Sequence, residues 1–124
     1  MRTSLAAAVV VLGLAVPATA EPDTALMDLN QGPWDLVSAD GASCSLMLGD
    51  CPAKDFARVL EDAGDCRDLD PALSQATAWR IDEPGELLLL SDGGKTVLRL
   101  TYHRDEGTFG TIGRTPELTL QPLD

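Results

Sequence analysis

The residues of this chain that could form a disulfide or a thiolate–imidazole zinc site are three cysteines and one histidine. A structural zinc site needs closely spaced pairs of ligands, and Cys44, Cys51 and Cys66 supply no C-x-x-C pair. In an exported chain, three cysteines are typical of one disulfide and one leftover thiol. We therefore expect a disulfide, no metal site in the free protein and no cofactor.

Catalysis would require a nucleophile beside a general base, or two carboxylates in one pocket. The sequence contains no nucleophile motif, and its acidic residues are spread along turns, as on a solvated surface. His103 is the only histidine, and it is expected at the surface or edge of a strand. The sequence therefore predicts a protein that is not an enzyme.

The stretch from Thr77 to His103 predicts three consecutive strands joined by two tight turns. Pro84-Gly85 combines a fixed φ with a residue that tolerates positive φ, and Asp92-Gly93-Gly94 is a hairpin signal. The run Leu87 to Leu90 between these turns is too short to span a membrane and predicts a buried strand. Such a meander exposes an apolar face that the rest of the chain must cover.

Further short strands are predicted at residues 34–38, 43–48, 107–112 and 117–121. Residues 52–65 fit either helical or strand spacing, so their structure is left open. Seven or eight short strands with closely spaced turns favour an antiparallel barrel or sandwich. Asp23 or Thr24 could cap a short helix through Asp28 with Leu26 and Leu29 on one side. A capped turn is also expected at residues 70–73.

The N-terminus has the pattern of a secretory signal peptide. A positive start, a short apolar run and Ala18-Thr19-Ala20 predict cleavage before Glu21. Cleavage would leave one small domain, with eight basic residues against twenty acidic ones because only Arg2 is lost, and hence a net charge of −12. Such a surface repels nucleic acid and anionic lipid, so neither is expected as a partner.

An ordered set of tryptophans, cysteines and leucines runs through the mature chain. In order they are Gly32-Pro33-Trp34-Asp35-Leu36, Cys44-Ser45-Leu46-Met47-Leu48, Cys66, Ala78-Trp79-Arg80 and Gly85-Glu86-Leu87-Leu88-Leu89-Leu90. This set resembles the periplasmic inhibitors of serralysin-type alkaline metalloproteases, and the resemblance covers the chain from about Leu29 onward.

The resemblance implies an all-β fold, a small eight-stranded antiparallel β-barrel with a short N-terminal helical trunk. Residues 21–31 would form the trunk and residues 32–124 the barrel, and residues 52–65 would include a strand. The resemblance also pairs Cys44 with Cys66 and leaves Cys51 as the odd cysteine. A Cys51–Cys66 disulfide is the alternative.

The family's mode of action places the trunk in the cleft of a serralysin-type zinc metalloprotease. Carried over to this chain, the α-amino group of Glu21 would bind the partner's catalytic zinc. Pro22, Asp23, Thr24 and Ala25 would lie behind it in the cleft. We expect a periplasmic monomer. The alternative function is that of a small β-barrel that binds an apolar ligand or another envelope protein.

Overall fold

The computed structural model describes residues 21–61 and 64–123 of the chain. The predicted signal peptide, residues 1–20, lies outside the described residues, so its cleavage stays a prediction. In the described part of the chain, no helix combines the length and the apolar character needed to cross a membrane.

Within the described residues, eight antiparallel strands form a closed barrel in which each strand pairs with its sequence neighbours and the last pairs with the first. The predicted all-β barrel is confirmed, and closure leaves no free sheet edge. The strands are β1 (Gly32–Ser38), β2 (Ser43–Pro52), β3 (Arg58–Glu61), β4 (Ala78–Asp82), β5 (Glu86–Leu90), β6 (Thr96–His103), β7 (Thr108–Gly110) and β8 (Leu118–Pro122).

Alternate side chains of the strands fill the barrel interior, as the period of two requires. Trp34 of β1 and Trp79 of β4 are both buried, at 5% and 0% exposure. The indole N–H of Trp79 donates a hydrogen bond to the carbonyl oxygen of Gly49, at 3.0 Å. Both tryptophans are therefore core residues whose polar atoms have partners, since the Trp34 indole is also hydrogen-bonded.

The leucine run of β5 is buried on both faces. Leu87 and Leu89 point into the main core of the barrel, whereas Leu88 and Leu90 belong to a second cluster with Ala57 and Ala78. The loop at residues 53–57 covers this second cluster on the outside of the barrel. A run of four leucines is compatible with this arrangement because neither face of the strand meets water.

The two ends of the barrel are closed by different elements. A seven-residue helix, α1 (Thr24–Asn30), inserts the fully buried Met27 into the core at the end where β1 and β3 begin. We call this the trunk end. At the opposite end, here called the far end, 3₁₀ helices at Gly64–Asp68 and Pro71–Gln75 contribute the buried Cys66 and Leu73.

The short helix expected after Asp23 is present, with Asp23 as its cap, and its buried residue is Met27. Leu26 packs partly against the core, but Leu29 is 80% exposed and Met27 takes the buried position. Because α1 caps the barrel opening instead of lying along a sheet, only a narrow part of its surface meets the core.

The disulfide joins Cys44 to Cys66, as predicted, and Cys51 is an exposed free cysteine. The open question at residues 52–65 has a mixed answer, because the segment contains the four-residue strand β3 between two short 3₁₀ elements. A single turn at Lys54–Phe56 precedes β3, which pairs with β2 on one side and β4 on the other. The helical spacing of this segment was misleading, because Phe56 is 72% exposed and faces no core. The capped turn expected at residues 70–73 is present at Pro71–Gln75, with Asp70 as its cap.

Candidate functional site

The predicted site residues Glu21 to Ala25 lie along the rim of the trunk end. Pro22 forms an isolated antiparallel bridge with Asp82, at the end of β4. The backbone N–H of Asp23 donates to the carbonyl oxygen of Ile81 at 2.7 Å, and the N–H of Glu83 donates to the carbonyl oxygen of Glu21 at 2.9 Å. The segment is thus held on the barrel by backbone hydrogen bonds, with Glu21 exposed to solvent.

Only part of this segment is extended. Asp23 is the N-cap of α1, and its carboxylate accepts a hydrogen bond from the backbone N–H of Leu26 at 3.0 Å. Thr24 and Ala25 form the first turn of the helix. The sequence suggested a polar terminal stretch with little structural role, whereas Pro22 to Ala25 take part in β-pairing, capping and helix formation.

Two contacts hold the other end of α1 against the barrel. The indole N–H of Trp34 donates to the carbonyl oxygen of Asn30 at 2.7 Å, which gives an acceptor in the last turn a partner. Arg58 of β3 donates to the carboxylate of Asp28 at 2.7 Å. Together with the buried Met27, these bonds fix the trunk to the barrel at several points.

Arg80 lies under the rim and joins it to the neighbouring loop. Its guanidinium forms a bidentate ion pair with the carboxylate of Asp82, with N···O distances of 2.8 and 3.0 Å. Asp82 is only 1% exposed. A third donor of Arg80 reaches the carbonyl oxygen of Asp55 at 3.0 Å. The buried carboxylate is therefore paired, as burial of a charge demands. Sequence reasoning missed this pair, although residues two apart on a strand share a face.

The ionisable groups with shifted pKa values lie at the far end. A hydrogen bond from the Arg114 guanidinium, with a second from a backbone N–H, lowers the pKa of Asp70. In the turn between β1 and β2, the backbone N–H of Ala42, and then the Ser38 hydroxyl, lower the pKa of Asp40. His103 is exposed at the end of β6. Among the described residues, no group of three or more His, Cys, Asp or Glu side chains is arranged to hold a metal ion.

A groove of about 380 Å³ lies on the outside of the barrel between the 53–57 loop and the turn after β5. Ala57, Ala78 and Leu90 form its apolar wall. Charges of both signs also line it, from Lys54, Arg80, Asp55 and Asp92. This groove is the feature of the structure that bears on the alternative function, the binding of an apolar ligand.

The barrel is similar to a solved structure, the crystal structure of a psychrophilic marine protease MP inhibitor. The two chains are 19% identical, the TM-score is 0.59, and the match covers 78% of this chain and 98% of the other. At this level of identity the likeness establishes a shared fold. No protein-family model matches the chain, and no curated protein matches it.

Proposed function

We propose that this chain is an exported inhibitor of a serralysin-type zinc metalloprotease, and that its mature N-terminal segment, Glu21 to Ala25, enters the protease cleft. The observation that carries the proposal is the fixed position of this segment. It lies on the rim of a closed barrel, held by the Pro22–Asp82 bridge, with Glu21 exposed at its end. The protein of similar fold is itself a protease inhibitor, which supports the same class of function here.

The chemistry depends on the α-amino group that signal cleavage would create at Glu21. An α-amine has a pKa of about 8, so a neutral fraction with a lone pair is present at neutral and alkaline pH. The zinc of a metalloprotease keeps one coordination position open for the water that attacks the peptide bond. An amine in that position displaces this water, and no scissile bond lies over the metal.

Because the segment is already attached to the rim, less conformational entropy is lost when it binds. The hydrogen bonds at Glu21 and Asp23 fix its direction, and the ring of Pro22 restricts its φ. Glu21 and Pro22 can enter a cleft while α1 stays folded. Entry of Thr24 and Ala25 as an extended strand would also open the first turn of α1 and release the Asp23 cap, at a cost of about 1 kcal/mol.

The test compares four forms of the mature protein against a panel of zinc endopeptidases, with serine proteases as controls. Mass spectrometry of the exported protein first establishes that the chain starts at Glu21. An extra residue before Glu21, or acetylation of its amine, should weaken inhibition on the order of a hundredfold, equivalent to about 2.7 kcal/mol. Deleting residues 21–25 should abolish inhibition.

The matched control is Glu21→Ala, which keeps both the chain length and the α-amine. It should inhibit nearly as well as the unmodified protein, because the proposed zinc ligand is the amine and not the side chain. Circular dichroism should give the same spectrum for the full-length forms, while the deleted form, which lacks the Asp23 cap and the first turn of α1, should lose some helical signal and keep the β signal of the barrel. If the extended, acetylated and deleted forms inhibit as well as the mature protein, the segment does not carry the function.

The alternative function rests on the groove beside the 53–57 loop. A carrier of apolar ligands would bind an environment-sensitive apolar dye with one-to-one stoichiometry, and Ala57→Glu in the groove wall would abolish that binding. Stoichiometric dye binding together with no protease inhibition would favour a ligand carrier over a protease inhibitor.

A further inference from the structure

Three of the four large exposed apolar side chains in the described residues are at the trunk end. The four are Leu29, Phe56, Ile112 and Leu123. Leu29 is on α1, Phe56 is in the loop before β3, and Leu123 follows the last residue of β8, so these three lie at the trunk end. Ile112 follows β7 and lies at the far end. Three of the four are therefore at the end of the barrel that carries the N-terminal segment.

Phe56 is held outward by an unusual backbone. Asp55 and Phe56 both have positive φ, at 57° and 66°. This left-handed conformation is uncommon for residues other than glycine, and for a bulky side chain it is an outlier. Such residues persist where the surrounding structure enforces them, and they cluster at binding sites. Here the enforced conformation leaves a phenyl ring 72% exposed.

The loop that carries Phe56 is tied to the trunk on two sides. Arg80 donates to the carbonyl oxygen of Asp55 at 3.0 Å and also pairs with Asp82, whose backbone bridges to Pro22. On the other side, Arg58 bonds Asp28 of α1 at 2.7 Å. Phe56 and the N-terminal segment are therefore fixed relative to one another by side chains that both contact.

We propose that Phe56, with Leu29 beside the Asp28–Arg58 ion pair, forms a second contact with the target protease, in an apolar depression next to the catalytic cleft. The inference rests on the proposed function, since it takes the same protease as partner. Aromatic residues are enriched at the centres of protein interfaces, so Phe56 is the anchor and Leu29 is the flanking contact. The barrel then contributes binding energy directly besides holding the segment.

The test replaces Phe56 by serine in the mature protein and measures the inhibition constant for the zinc protease that is inhibited most strongly. Phe56→Ser should weaken inhibition about 10- to 30-fold, the loss expected for an interface anchor. Phe56→Gly should lose as much inhibition while raising the thermal midpoint, because glycine adopts this backbone without strain. Ile112→Ser, an equally exposed site at the far end, should stay within about twofold of the unmodified protein.

A second measurement separates this contact from the one made by the α-amine. In a form extended by one residue before Glu21, Phe56→Ser should multiply the loss of inhibition by a similar factor, because separate contacts add in free energy. Sedimentation equilibrium of both proteins monitors self-association.

The proposal is overturned if Phe56→Ser inhibits as well as the unmodified protein, and the proposed function then still stands. It is also overturned if Phe56→Ser converts a dimer to a monomer without changing inhibition, since the apolar surface would then join two copies of this chain. If the unmodified mature protein inhibits no zinc protease, both proposals fail together.

Discussion

Replacing both Cys44 and Cys66 by alanine should lower thermal stability strongly and leave the trunk end intact. The disulfide joins β2 to the connection that closes the far end, across a sequence separation of 22 residues. In the chain-entropy model, releasing a loop of this length costs about 3 kcal/mol. For a domain of this size, that loss corresponds to a fall in the midpoint of roughly 12–24 °C.

The assay is thermal unfolding under non-reducing conditions, with Cys51→Ala as the matched control. Cys51 is exposed and unpaired, so its replacement should change stability by about 0.5 kcal/mol or less. Inhibition by the double variant is measured well below its midpoint. Because Cys66 lies at the opposite end from Glu21, the folded variant should inhibit a zinc protease as well as the unmodified protein.

Two results would refute this reasoning. If the double variant has the same thermal midpoint as the unmodified protein, packing at the far end holds the connection between β3 and β4 in place without the disulfide. A folded double variant that has lost inhibition would show that the far end shapes the binding site, contrary to the separation of the two ends described above.

Two further predictions concern stability. Pairing with Arg114 lowers the pKa of Asp70 below its ordinary value of 3.8. The pair therefore stabilises the fold fully at pH values above 3.8, and this stabilisation is lost as the pH falls through the lowered pKa of the folded state. Asp70→Asn should therefore cost up to about 1 kcal/mol at pH 7 in chemical denaturation, and the difference from the unmodified protein should shrink in acid; a constant difference would contradict the assignment. Gly49→Ala should lower the free energy of unfolding by about 1–3 kcal/mol, because the added Cβ would lie 2.7 Å from the carbonyl oxygen of Val59. The control Gly93→Ala, whose added Cβ has open space around it, should leave the stability nearly unchanged in the same thermal melt.

Local signals in the sequence were sufficient for most of the barrel. The turns at Pro84-Gly85 and Asp92-Gly94 separate β4, β5 and β6 as predicted, and the alternation in β2 correctly places Cys44, Leu46 and Leu48 on the buried side. Such predictions succeed because turn chemistry and strand period depend on neighbouring residues. The disulfide partner came from the family resemblance, and the structure agrees with it.

The candidate site was predictable only in part. The sequence marked Glu21 to Ala25, but it gave no sign that Pro22 pairs with Asp82 or that Arg58 bonds Asp28, thirty residues away. These contacts join segments that are distant in the chain, and their residue types are common on any solvated surface. Pro22 can pair with Asp82 only because the closed barrel places the end of β4 beside the N-terminal segment.

The sequence by itself determined every strand except β3, the turns between them and the residues available for a disulfide, since each is set by short-range backbone preference and side-chain period. Only the tertiary structure decided which leucines of β5 face the interior, because both faces of that strand are covered and the pattern carries no distinction. It also decided that Met27 is buried while Leu29 and Phe56 are exposed. Those outcomes depend on how the barrel ends are closed, and closure is a property of all eight strands together.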